Sequence, residues 1–364
     1  MLGIVPTSAS ERVRTISNDY FEIAALDSRS LSYVNELSTF TAEIAGRYLE
    51  QKGMAYPQPI LVTLRPQAYV NFSEDYRIRI GPRNTVELDI KWYEGLSLKS
   101  CCYALCEALL TQYSLFNYGS GGLSMLRAWP VTALTYEVYV GLRPATFSHI
   151  VNQALEQGAQ ELTTVLKLTY PNMSYLDNPY GYLALKAMKS QAINRRIMRG
   201  LFQLALSGED ISDVLLAELN TGRVEPIDLD TWWKEILESL VNSDYEVVET
   251  MTDSRLWLSE MAQFPDNIEI DTEKYSLNLR SIWEYRANSV VRTLLSARRD
   301  ILWLRMQRIN PAYYNSAYSL SKVFDSLLNN DESHKYLHSL TTYLSDWEDV
   351  KNMQKIIEDI KVHK

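Results

Sequence analysis

The sequence predicts an α+β fold: a small antiparallel or mixed N-terminal sheet with an active-site-type helix, followed by a mostly helical C-terminal half. Three observations predict it. Short runs rich in β-branched and aromatic residues crowd the chain before Trp92, helical periodicity dominates after it, and 364 residues that are 46% hydrophobic and 22% charged suffice for real cores.

The elements follow in order. Asp19–Leu26 (DYFEIAAL) reads as a first strand. A helix capped at Ser28 or Ser30 comes next, with Leu31, Val34, Leu37, Ile44 and Tyr48 at helical spacing up to Gly53. Pro59–Leu64 (PILVTL) is a second strand, and Tyr76–Ile80 with Thr85–Trp92 make a hairpin around Gly81–Asn84. The second arm alternates Val86, Leu88, Ile90 and Trp92 with Thr85, Glu87, Asp89 and Lys91, which predicts one dry face and one wet face. In Ser97–Phe116, Leu98, Cys102, Leu105, Leu109, Tyr113 and Phe116 recur every three or four residues and Ala108 and Leu110 widen the stripe, so this helix is expected to be largely buried. Tyr118–Gly122 breaks it. Pro130 can start the next helix, and helices divided at Pro144, Gly158, Pro171–Asn172, Pro179–Gly181, Gly208 and Gly222 run to about Leu240. The remainder to Lys364 reads as helical, with a loop near Phe264–Asp271 and a long segment from Leu277 to Ile309. The expected division is a tail over 1–17, a domain over 18–240 and a helical extension over 241–364.

A net charge of −9 gives no footprint for nucleic acid or an anionic membrane, because binding polyanions takes a surplus of Lys and Arg. The expected partner is neutral or basic. Cys101, Cys102 and Cys106 fall within one short stretch and the adjacent pair cannot easily bridge, so no disulfide framework is expected. Met1–Ser17 carries no apolar run of the kind a signal peptide has, and no stretch is long enough to span a bilayer, so a soluble protein is expected.

The first chemical candidate is Cys106-Glu107-Ala108-Leu109-Leu110. A buried helix after a hairpin arm is where zinc peptidases carry HExxH, two histidines one turn apart binding zinc beside a Glu that activates water. Here the Glu is in place, Cys106 stands at the first histidine position, and Leu110, which has no donor atom, stands at the second. The ordinary alternative for Glu107 is a paired carboxylate on a core helix.

The order of motifs resembles the peptidase MA-like, or gluzincin-type, zinc metallopeptidase domain. It runs DYFEIAALD, GRYLEQKG, PILVTLRP, the hairpin RIRIGP and TVELDI, then LKSCCYALCEALLTQYS where such domains have the active helix. RAWPVTALTYEV stands where the family supplies its third ligand, offering Trp129, Pro130, Thr135 and Glu137 but no Glu-Gly pair. YGYLALKAMKS, ALSGEDISDVLLAELN and the Trp232-Trp233 helix look like the family's helical tail, which takes the resemblance from Asn18 to Leu240. It implies a pseudopeptidase: a zincin fold with HExxH lost and no bound metal or other cofactor. It further implies an extended peptide or protein bound in the former substrate cleft along Thr85, Glu87 and Asp89 with Trp129 nearby, and it favours an exported, periplasmic or cell-envelope location.

Other constellations are weaker. His334 and His338 can share a helix face but lack a third ligand, and their polar setting suits a solvated helix start. Gly119-Ser120-Gly121-Gly122 follows a helix and has no Lys-Ser/Thr, so it is no phosphate loop. Ser114, Ser120 and Cys106 lack a histidine base, and the three cysteines read as packing. The 24 Tyr and 8 Trp invite a binding surface, though most sit at core spacing. Arg286, Arg292, Arg298, Arg299, Arg305 and Arg308 form a stripe that either docks an acidic partner or pairs with Glu-rich helices of the same chain. Two further readings remain open at this point: an enzyme of metal-independent chemistry with a glycosidase-like pair Glu107 and Glu137, and a purely structural helical scaffold.

Overall fold

The structure is a computed structural model describing residues 13–49, 58–158, 160–169, 178–191, 193–240, 249–270 and 272–362, with the backbone path alone over 122–125 and 361–362. It opens with five strands, β1 (Arg14–Ser17), β2 (Phe21–Ala25), β3 (Ile60–Pro66), β4 (Tyr76–Ile80) and β5 (Val86–Trp92), in one sheet of order β1-β2-β3-β5-β4. The β2–β3 and β3–β5 pairs are parallel, while β1 and β4 are antiparallel edges.

Period-two alternation decides which face is dry. Phe21, Ile23 and Ala25, Ile60, Val62 and Leu64, and Val86, Leu88 and Ile90 are all buried on one face, beneath α1 (Ser28–Ala45) and α2 (Leu98–Met125). Register places Thr63 beside Asp89 and Asp89 beside Arg77 on the other face. Asp89 is nevertheless buried, because Arg65 at 2.6 Å, Arg79 at 2.9 Å and Arg77 at 3.5 Å close over it.

The chain start needs a correction. Arg14–Ser17, expected within a tail, pairs with Glu22–Ala25 of β2 as an edge strand. Its four residues RTIS show no apolar alternation, so only the pairing reveals it. Asn18 makes the turn: its Oδ1 accepts from the N–H of Phe21 at 2.9 Å and its Nδ2 donates to Ser38 Oγ at 2.8 Å on α1. The α1 cap is Asp27, whose carboxylate accepts from Ser30 N at 2.7 Å, rather than Ser28 or Ser30. The helix ends at Ala45, which leaves Tyr48 in the following turn; 50–57 lie outside the described residues. Gly119, at φ 71°, breaks the helical path of α2 at the expected place, and α2 resumes beyond it to Met125.

The helical half comprises α3 (Ala128–Leu142), α4 (Thr146–Glu156), α5 (Leu162–Lys167), α6 (Tyr180–Ser190), α7 (Arg195–Leu206), α8 (Ser212–Leu219) and α9 (Leu229–Leu240). Every described side chain of α3 except Tyr139 is buried. Gly181 lets α6 lie directly on it: a Cβ there would meet Trp129 O at 2.7 Å and run into Thr132 Oγ1.

Beyond these come α10 (Met251–Ala262), a short hairpin of β6 (Ile268–Ile270) and β7 (Glu273–Tyr275), α11 (Ser289–Arg305), α12 (Tyr314–Leu328) and α13 (Ser333–Val362). A strand thus stands inside the loop expected over Phe264–Asp271, and the helix expected from Leu277 begins only at Ser289, capped by Asn288. The buried apolar side chains form two clusters, one from Phe21 to Leu240 joined by Leu304, the other from Trp257 to Val350. α11 lies on α1 between them. Arg305 and Arg308 both hold buried Glu249, at 2.9 and 2.6 Å, and reach Glu36 and Glu43 of α1 at 3.4 Å. The Arg308 guanidinium also covers the Phe40 ring at 3.9 Å. These arginines therefore pair within the chain. Among the described residues no helix is long and apolar enough to cross a membrane.

Candidate functional site

The centre of α2 is where a metallopeptidase-like reading stands or falls. Cys106, Glu107 and Leu110 are all buried there, Cys106 and Leu110 fully. Burial pushes the Cys106 thiol far above its ordinary range, with the buried Thr135 hydroxyl of α3 beside it pulling weakly the other way. Thr135 thus fills the place opposite Cys106. Glu137, two residues on, faces away, because positions i and i+2 of a helix point to different sides. Its carboxylate accepts from Tyr48 OH at 3.0 Å and Lys189 Nζ at 2.9 Å, with Lys186 Nζ at 3.3 Å. Burial works to raise the Glu137 carboxyl, but the two ammonium groups and the hydrogen bonds from Lys189 and Tyr48 outweigh it and hold it below the ordinary range.

Zinc does not fit these residues. A fully buried, protonated thiol, a leucine with no donor and a threonine hydroxyl cannot make the anionic or imidazole donor set the ion requires. Among the described residues no three His, Cys, Asp or Glu side chains stand together as a metal cluster. His334 and His338 lie at the start of α13, beside a second cavity of about 470 Å³, with His334 Nδ1 3.2 Å from Glu332.

Glu107 has a different environment from Glu137. It is 4% exposed and accepts a hydrogen bond from Tyr76 OH of β4, whose ring lies 6.2 Å from that of Tyr103. Burial pushes its carboxyl up to about 7, while the Tyr76 bond pulls the other way. Glu107 is thus bonded to β4, whereas Glu137 is bonded to Tyr48 and the lysines of α6, and neither lines the cavities described here.

The expected peptide-binding residues are placed differently from the sequence reading. Thr85, Glu87 and Asp89 belong to the hairpin arm β5 and the residue before it, and β5 is flanked on both sides by β3 and β4. Its backbone groups are spent on those neighbours, so it cannot take an added strand. Thr85 donates to Pro82 O at 2.9 Å and bonds Gln58, Glu87 pairs with Arg79 at 3.2 Å, and Asp89 lies under its three arginines. Trp129 is 1% exposed, packed edge-on to Phe202 at 4.9 Å, and is core rather than surface. The edge strands of the described sheet are β1 and β4, and of the two it is β4 that borders β5 and carries Tyr76 to Glu107.

A cavity of about 930 Å³ lies elsewhere, where the starts of α1 and α2 meet α11. One wall comes from the start of α1 (Asp27, Arg29, Ser30, Tyr33), another from the end of β5 and the start of α2 (Trp92, Tyr93, Glu94, Leu96, Leu98, Cys101), and the third from Arg143, α11 (Arg299, Asp300, Trp303, Leu304) and Asp325 of α12. Reading along the sequence missed it, because its walls come from segments far apart in the chain; Trp92, placed on a strand end, and Arg299, placed in the arginine stripe, were the visible signals. Volume and a mixed aromatic and charged lining suit a small ligand. The chain matches no protein-family model, no curated protein and no solved structure at a significant level.

Proposed function

We propose that this protein is a non-catalytic pseudopeptidase: a binding protein built on a metallopeptidase-like core that has lost the metal. The observation that carries this reading is the filling of the α2 centre, where fully buried Cys106 and Leu110 stand at the two helix-ligand positions and Thr135 closes the space from α3. The element order supports it. A mixed sheet, parallel at its centre and antiparallel at β1 and β4, precedes a buried helix, and Glu107 on that helix is bonded to β4 through Tyr76. Because the former centre is packed solid, binding falls to the outer strand β4, whose open edge suits an extended peptide added by backbone hydrogen bonds. The carboxylate-pair enzyme gains no support from Glu107 and Glu137, since neither lines a described cavity.

The test is metal analysis together with hydrogen exchange. Purified protein should hold well under one equivalent of zinc and hydrolyse no peptide, and an extended peptide that binds should slow amide exchange over Tyr76–Ile80. About one equivalent of zinc, with a peptidase activity that Glu107→Gln abolishes, would overturn the reading.

A further inference from the structure

We propose that the cavity where the starts of α1 and α2 meet α11 is a binding site for an apolar carboxylate, with Arg143 as the group that receives the acid. The inference is independent of the pseudopeptidase reading. It begins with the charges around the cavity, most of which are already committed. Arg29 is bound to Asp300, and Arg299 lies 3.4 Å from Asp300 and 3.7 Å from Asp325. Asp27 spends its carboxylate on the α1 N-terminus, accepting from Ser30 N at 2.7 Å.

Arg143 is the cation left over. It follows the last turn of α3, and its Nη1 donates to its neighbour Leu142 O at 2.8 Å and to Leu304 O of α11 at 2.9 Å. Those bonds fix the guanidinium without neutralising it: among the described residues Arg143 has no carboxylate partner, and its Nε and Nη2 carry no hydrogen bond. A half-buried guanidinium held in place and facing a cavity is arranged for a planar anion, which it can receive through two parallel N–H donors.

The surroundings narrow the class. Tyr33 and Trp92, whose rings lie 6.3 Å apart, share the cavity with Leu96, Leu98 and Trp303, which is 43% exposed. An aromatic and leucine lining covers an apolar body and gives a highly hydrated ion nothing. Glu94 at the same cavity opposes a second negative charge on the ligand, which separates a monoanionic carboxylate from a phosphate dianion. The volume of about 930 Å³ exceeds one small acid and accommodates several residues. One chemistry therefore has two sources, the C-terminal carboxylate of a peptide ending in an apolar residue and a free apolar acid.

Intrinsic tryptophan fluorescence tests this, since Trp92 and Trp303 stand in the cavity wall. The probes are N-acetyl-phenylalanine, its amide, and the peptide Ala-Ala-Phe with a free or an amidated C-terminus. Both free acids should bind saturably and both amides about 10- to 100-fold more weakly, the usual worth of hydrogen bonds to a charged group. Arg143→Gln should erase the difference between acid and amide, and Trp303→Ala should weaken all four probes while its circular dichroism stays native. A tighter peptide assigns the site to chain termini, a tighter single residue assigns it to free acids, and either supports the carboxylate. The inference is overturned by equal affinity for acid and amide, by an acid preference that survives in a natively folded Arg143→Gln, by preference for inorganic phosphate, or by no saturable response to any probe.

Discussion

Glu107 makes the protein's stability depend on pH in the direction opposite to an ordinary ion-paired acid. Its carboxyl titrates at 4.5 in an unperturbed setting and at about 7 in the folded chain, burial being the dominant cause. Between those values the folded state holds a proton that the unfolded state has released, so stability falls as pH rises. The contribution is complete below pH 4.5 and gone above about 7. At about 1.4 kcal/mol per unit, the window is worth about 3 kcal/mol. Other carboxylates slope the other way, Glu137 among them, so the measurement is a difference between two proteins. Urea unfolding of the parent and of Glu107→Gln, followed by tryptophan fluorescence between pH 4.5 and 8, isolates it, because Gln keeps an acceptor for Tyr76 OH and does not titrate. The parent should lose about 3 kcal/mol relative to the variant across the range. A difference that stays flat, or that grows in the parent's favour as pH rises, would show that Glu107 is ionised in the folded core and would refute the reasoning.

Further outcomes follow from the same contacts. Glu137→Leu leaves the Lys186 and Lys189 ammonium groups beside a low-dielectric core without their shared carboxylate, and should lower stability by about 3 kcal/mol in chemical denaturation. Gly181→Ala drives a methyl against Trp129 O and Thr132 and should cost about 1–3 kcal/mol, read as a lowered thermal midpoint. Cys101, whose thiol burial pushes up to about 12, has only about one molecule in ten thousand ionised at pH 8, so iodoacetamide should label none of the three cysteines until denaturant is added. Glu249→Gln should weaken the attachment of α11 to the α1 side by about 3 kcal/mol, read as a lowered urea midpoint, because Arg305 and Arg308 lose the charge both are paired with.

How much of this was legible in the sequence depended on whether a residue's partner lay nearby in the chain. The alternation of Val86, Leu88 and Ile90 and the three- to four-residue period of α2 are local signals, and they placed the central strands and the buried helix correctly. Arg14–Ser17 has no such signal: it is a strand because Glu22–Ala25 of β2 offers it an edge, a fact about pairing rather than composition. The same cause misplaced the site on β5. A hairpin arm with a wet and a dry face reads as a sheet margin, but strand order is set by crossovers, and the chain passes from β3 out to β4 before returning as β5 between them.

The candidate centre was legible in its chemistry and illegible in its surroundings. That Leu110 can hold no metal is a property of leucine and needs no coordinates. That Glu107 is answered by Tyr76 and Glu137 by Tyr48 and two lysines, and that Thr135 comes to lie beside Cys106, are long-range facts, each joining elements that the sequence separates by loops. The cavity at Arg143 is the extreme case, since α1, β5, α3, α11 and α12 all contribute to its walls. Its signal in the sequence was a cation just past a helix end with no acid at helical spacing to answer it, and such a residue acquires meaning only when the fold shows that no distant carboxylate arrives either. Arg299, Arg305 and Arg308 lay in an apparently similar stripe and are all paired across the molecule. The contrast between them and Arg143 rests on tertiary contacts alone, and it separates a charge that holds the fold together from one left available to a ligand.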